Sequence, residues 1–199
     1  SVLHQHLGEL DLALSYAESA VELADQGKSA FSRTRTRATL GDVLHQMGCV
    51  AESARQFADA ETIQRKRQPK YPLLYSAQGY EYCKLLLALG RVDDVRQRAN
   101  QTLVWVGTAG GLVDTAFNEL LLGLVYSARM PAGCIPSREL ARRKLDEAVD
   151  GLRRSGMEDF VPAGLLARAE FFVRIAEFGR ARIDFDEALE IAARGPMRL

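Results

Sequence analysis

The sequence predicts an all-α fold, a right-handed α-solenoid of about ten helices stacked as hairpins, and three observations lead there. Turn residues recur at Gly8, Gly48, Gly90, Met130 and Ala176, in steps of 40, 42, 40 and 46 residues. A small residue recurs near the end of each second helix, at Ala20, Ala60, Thr102, Ala148 and Ala188, in steps of 40, 42, 46 and 40. No stretch reads as a strand. The two series differ only in the fourth repeat, whose turn therefore holds about six extra residues over the Pro- and Gly-containing stretch 130–136. One hairpin cannot bury its own apolar face, so the whole of 1–199 is expected to form one stacked array.

The repeats run over about 1–27, 31–67, 71–107, 112–155 and 158–194. Repeat one has a truncated first helix over 2–7 and a second over about 9–26. On that second helix Leu10, Ala13, Leu14, Ala17, Ala20, Val21 and Ala24 recur at three- and four-residue steps on one side, and Gly27 is the stop. In repeat two, Leu40, Val43, Leu44 and Met47 mark the first helix; Val50, Ala54, Phe57, Ala58 and Ala60 mark the second. Repeat three opens at Pro72, a residue suited to a first helical turn, and breaks at 107–111. In repeat four Ser137 is the expected N-cap of the second helix and Gly156 its stop. Repeat five ends at the breaker Gly195-Pro196.

Packing explains the small residues. Gly41, Cys83, Gly123 and Ala169 hold matching places on the first helices, where a large side chain would force paired helices apart. Phe57, Leu145 and Phe185 share one position on the second helices and read as core rather than as a cofactor box.

Composition narrows the function. Apolar residues at 47% and charged residues at 26% are ordinary for a folded chain, and 26 basic residues balance 26 acidic ones. That balance argues against nucleic acid as a partner, and no apolar run approaches the roughly 18 residues of a membrane span. Cys49, Cys83 and Cys134 are an odd, widely spaced set without a C-x-x-C pair, which fits a reduced, intracellular setting. No signal peptide precedes repeat one, and both ends are abrupt, so the chain is read as a piece of a longer protein.

Searches for catalytic chemistry come back empty. The glycine-rich stretch 107–111 lacks a lysine and follows a helix, so it is not a phosphate loop. His4 and His6 stand two apart on different helix sides, and His45 is alone, so no metal set forms. No nucleophile elbow or Cys-centred motif is present. The basic run 65–70 closes a helix, where cations complement the dipole. Arg33, Arg35 and Arg37 splay over different faces of an early helix turn, with Arg35 the best candidate to face inward on the array.

Leu40-Gly41, Gly48, Phe57 and Ala60 in repeat two carry a resemblance to tetratricopeptide repeats. So does Ala176-Glu177-Phe178-Gly179-Arg180-Ala181 in repeat five, followed by Phe185 and Ala188. The resemblance covers essentially the whole chain, with a period longer than the usual length of about 34 residues. Such long repeats resemble the sensor arms of bacterial signal-transduction ATPases with numerous domains, and 71–83 resembles a unit found beside NACHT-type or NB-ARC-type ATPase domains. The resemblance implies a cytoplasmic bacterial signalling or scaffold protein whose repeats bind a ligand or partner, while a separate ATPase domain switches.

In arrays of this kind the first helices line a concave surface. The residues expected to meet a partner there are Arg35, Asp42, His45, Tyr80, Lys84, Phe117, Glu170 and Arg174. Arg35 and Lys84 would pair a carboxylate, with Tyr80 and Phe117 as anchors. The expected function is non-catalytic recognition of a protein or peptide, with no cofactor, metal, nucleic acid or membrane involved. The alternative is an effector-sensing arm that binds a small molecule. The apolar Ile183, Phe185, Leu189 and Ile191 of the last helix add an expectation of exposed apolar ends and end-to-end self-association.

Overall fold

The computed structural model describes residue 5 and residues 8–107, 111–130 and 135–194. Among these residues there are nine α-helices and no strand. They are α1 (Leu10–Gln26), α2 (Ala30–Gln46), α3 (Val50–Arg67), α4 (Ser76–Ala88) and α5 (Val92–Val106). The others are α6 (Leu112–Ala128), α7 (Ile135–Arg154), α8 (Val161–Arg174) and α9 (Phe178–Arg194), with one 3-10 turn at Glu158–Phe160 before α8. The chain divides into two compact bodies, one up to Gly90 and one from Arg91.

Within each body every helix packs on its sequence neighbour, and first helices of successive repeats also touch: α2 meets α4, and α6 meets α8. That second set of contacts distinguishes stacked hairpins from a simple meander. It is the all-α, helical-repeat architecture that the 40-residue recurrence predicts.

In the first body, Ala13 and Ala17 of α1 bury against Leu40 and Val43 of α2. The core between α2, α3 and α4 is Ala38, Phe57, Ala60, Leu74 and Leu85, with the Tyr82 ring stacked on Phe57 at 4.9 Å. Phe57 can lie across α2 because position 41 is glycine; a Cβ there would stand 2.9 Å from the ring. The second body repeats the device, where a Cβ on Gly123 would come within 2.7 Å of the Leu145 side chain. Phe185, the third residue of this set, is 39% exposed instead. Its matching first-helix residue, Ala169, already carries the methyl that glycine omits.

Several expected boundaries shift. Helix α4 starts at Ser76, not at Pro72, because 71–75 is tied down elsewhere. The Gln64 amide donates to the Tyr71 carbonyl at 3.0 Å, the Leu74 side chain is buried, and the Leu74 carbonyl sits where a Cβ on Gly79 would need to be, at 2.6 Å. Helix α7 begins at Ile135, so Ser137 lies inside its first turn and is not the N-cap. The turn glycines Gly8, Gly48 and Gly90 have φ of 73°, 78° and 72°, and Ala176 takes the same left-handed conformation at 61°. Gly27 and Gly156 close α1 and α7 as expected. His4, His6, Cys134, the Gly195-Pro196 breaker and most of the first helix of repeat one lie outside the described residues.

Candidate functional site

Repeat two and the start of repeat three hold two groups of polar side chains, a charged cluster between α2 and α4 and an open cleft at the other end of α2. The cluster forms because one turn of α2 places Asp42, His45 and Gln46 beside Tyr80, Glu81 and Lys84 on one turn of α4. Asp42 Oδ2 accepts from the Gln46 amide and from the Gln5 amide, each at 2.8 Å. Lys84 Nζ bridges two carboxyls, 2.5 Å from Glu81 Oε2 and 3.4 Å from Asp42 Oδ1, and lies 5.6 Å from the Tyr80 ring centre.

Two buried carboxyls so close to one another do not ionise alike. Burial, and then the Asp42 charge, hold Glu81 well above the usual glutamate range. Burial also opposes the Asp42 charge, but the hydrogen bond with Glu81, the Lys84 ammonium and the Gln46 amide together keep Asp42 below the usual aspartate range. Of the two, Glu81 holds its proton to the higher pH. Burial works against the Lys84 charge, and the Glu81 and Asp42 carboxyls outweigh it, so Lys84 is raised. His45 is lowered by burial and by the Lys84 charge, with Asp42 opposing, and Tyr80 is raised by burial.

The cleft occupies about 360 Å³. Because α2 and α3 run antiparallel, the beginning of α2 lies beside the end of α3, and the chain then crosses to α4. Phe31, Thr34 and Arg35 come from α2, Gln64 and Arg67 from α3, and Leu74, Tyr75, Ser76 and Gln78 from the crossing and the start of α4. Arg67 is held in place: Nη2 donates to Gln64 Oε1 and to Gln68 Oε1, each at 3.0 Å, and its guanidinium carbon is 5.2 Å from the Phe31 ring centre.

The expected partner-binding residues therefore divide. Asp42, His45, Tyr80 and Lys84 come together, as one inward-directed cluster. Tyr80 is only 5% exposed, and Lys84 is already engaged by two carboxyls, so neither offers itself as the anchor or the carboxylate partner expected from sequence. Phe117 is 2% exposed and packs edge-on against Phe160 at 4.8 Å, a core contact in place of a surface anchor. Glu170 is exposed on α8, and Arg174 Nη1 donates to the Ser127 carbonyl at 3.2 Å. Arg33 and Arg37 converge on Asp25, at 3.3 and 2.7 Å, and Arg35 is the exposed arginine, in the cleft.

Sequence reading missed Glu81, Gln64, Gln78 and the role of Arg67. Arg67 looked like one cation of a helix-end run, and only the packing of Phe31 beneath it separates it from Arg65 and Lys66. In the second body the most elaborate polar contact is Arg168, whose Nε and Nη2 donate to the two Asp184 oxygens at 2.8 Å while Nη1 donates to Asp146 Oδ1 at 2.9 Å. This arrangement ties α7, α8 and α9 together. Among the described residues no group of three or more His, Cys, Asp and Glu side chains is placed to hold a metal ion, and no helix is long and apolar enough to cross a membrane.

Comparison of the chain with models of known families, with curated proteins and with solved structures found no match. Function must therefore be read from the side chains.

Proposed function

We propose that the chain is a non-catalytic recognition module, a tetratricopeptide-like repeat segment of a larger bacterial signalling or scaffold protein that takes a protein or peptide partner on its first helices. The observation that carries this reading is the side-by-side packing of successive first helices, α2 with α4 and α6 with α8. Along these first helices Arg35 and Gln46 are exposed on α2 in one body, and Glu170 and Arg174 are exposed on α8 in the other. Exposed side chains of this kind suit an extended segment read by several separated contacts. Cys49 and Cys83 are not disulfide-bonded, which supports a reduced, cytoplasmic setting. A second reading, an effector-sensing arm that binds a small molecule, is favoured by the cleft at Arg35 and Arg67.

Fluorescence polarisation with labelled peptide sets of acidic, basic and mixed charge tests the first reading. Saturable binding of one set, weakened about tenfold or more by Arg35→Glu or by Glu170→Arg, is the expected result. Binding by no set, or binding that neither charge reversal alters, overturns it.

A further inference from the structure

The cleft at the start of α2 carries an unusual imbalance. Arg35 and Arg67 line it, and no aspartate or glutamate does. Several arginines elsewhere meet acids: Arg33 and Arg37 meet Asp25, Arg153 meets Glu187, and Arg168 meets Asp146 and Asp184. Arg35 is exposed and has no hydrogen-bond or ion-pair partner among the described residues.

Arg67 is the more informative of the two. Its Nη2 is occupied by neutral glutamine oxygens and its plane covers the Phe31 ring, so the guanidinium is held in one orientation without being neutralised. Its Nε is buried and has no hydrogen-bond acceptor. A buried guanidinium N–H without an acceptor is a costly arrangement, and a charged ligand oxygen is the kind of acceptor Arg67 lacks.

The rest of the wall selects among anions. Ser76 and Gln78 add a hydroxyl and an amide from the first turn of α4, and no side chain caps that turn. Phe31 and Leu74 add apolar surface, which favours an anion with an organic body. A volume of about 360 Å³ lies within the range of about 300–1,000 Å³ typical of small-molecule sites.

We propose that this cleft binds a small organic oxyanion, a carboxylate or a phosphate monoester, with Arg35 and Arg67 gripping the charged end and Phe31 lying against the organic part. The proposal gives the effector-sensing reading its ligand class and rests on that reading. It shares Arg35 with the peptide-docking reading and is told apart from it by Arg67 and Phe31, which only the cleft ligand uses.

Isothermal titration calorimetry of the full chain with benzoate, phenyl phosphate, inorganic phosphate and uncharged benzyl alcohol tests it. Saturable heat is expected from benzoate, from phenyl phosphate or from both, with the stronger of the two naming the oxyanion. Benzyl alcohol should give none, and Arg35→Ala should weaken the anion about tenfold or more. Arg35 has no partner to lose, so this variant folds as the parent does; Arg67→Met, checked by circular dichroism, should weaken binding at least as much. Three results would overturn the proposal: no saturable heat from either organic anion, anion binding indifferent to Arg35→Ala, or inorganic phosphate binding as tightly as phenyl phosphate. A failure here with peptide binding intact removes the cleft ligand and leaves the recognition module, while the converse leaves the cleft ligand alone.

Discussion

Two kinds of position are sensitive to a single methyl group. At Gly41 and Gly123 a Cβ would stand 2.9 and 2.7 Å from the nearest atom of Phe57 and Leu145, inside van der Waals contact. Both neighbours are fully buried and cannot swing away. Gly41→Ala and Gly123→Ala are each expected to destabilise their body by about 1–3 kcal/mol through overpacking, read from the urea midpoint. An unchanged midpoint in both would refute the close-approach explanation. Ala176 presents the opposite case, since its methyl occupies a left-handed conformation at φ 61° that the corresponding Gly8, Gly48 and Gly90 adopt without strain. Ala176→Gly should therefore stabilise, by about 1 kcal/mol from relief of the αL penalty, less the entropy glycine adds to the unfolded chain. A lowered thermal midpoint would contradict this.

At the scale of elements, the α2–α4 contact is a proton-linked joint. Glu81 is raised when folded, so the folded protein holds a proton that the unfolded chain has released once pH exceeds the ordinary value of 4.5. Its contribution is present at low pH and is lost as pH rises through the folded value. Asp42 and His45 are lowered when folded, so their contributions run the other way. Asp42 is lost as pH falls below 3.8, and His45 weakens the fold as pH falls below 6.5. Glu81→Gln keeps the shape and removes the titration. Its stability relative to the parent should climb as pH rises above the ordinary glutamate value of 4.5, measured by urea unfolding at each pH. A difference that stays flat above that value would show that Glu81 ionises normally.

The α8–α9 joint is electrostatic in another way. Asp184 is nearly fully buried and receives two hydrogen bonds from Arg168. Asp184→Ala leaves the Arg168 guanidinium with Asp146 as its one remaining acid partner and is expected to cost about 3 kcal/mol. The exposed pair of Arg182 and Asp186 on the same helix serves as the comparison. Arg182→Ala there should change stability by no more than about 0.5 kcal/mol. Equal effects of the two substitutions in chemical denaturation would remove the distinction drawn between them.

For the molecule as a whole, apolar surface is the outstanding feature. Phe178 at 64% and Leu189 at 61% exposure lie with Phe185 along one stripe of α9, next to its buried face. Leu12 and Leu23 are exposed along α1. Clustered apolar side chains of this size favour association, so scattering mass should rise with concentration. Leu189→Lys combined with Phe178→Glu should suppress that rise, and a concentration-independent monomer mass for the parent would dismiss the expectation.

Much of this molecule is legible in the residues themselves. Helix periodicity, the turn glycines and the matched small positions are local and repeated, so Gly41, Gly48, Phe57 and Ala60 announce a hairpin before any coordinates exist. The all-α class and the packing of neighbour on neighbour follow from those patterns, since a repeated amphipathic hairpin has nowhere else to bury its apolar face. The candidate site is a different matter. Tyr80, Phe117 and Lys84 are expected from sequence on a partner-binding surface, yet whether a face meets solvent or another helix depends on residues dozens of positions away. Glu81 is an ordinary surface glutamate by sequence, and becomes a proton holder only because α4 lies against Asp42. Arg67 likewise becomes an unpaired, oriented cation only where Phe31 passes beneath it. Sequence determines what each segment can form, because hydrogen bonding and periodicity are local. Tertiary structure decides which charges are buried, paired or left open, because desolvation and Coulomb energies depend on everything within a few ångströms, however distant along the chain.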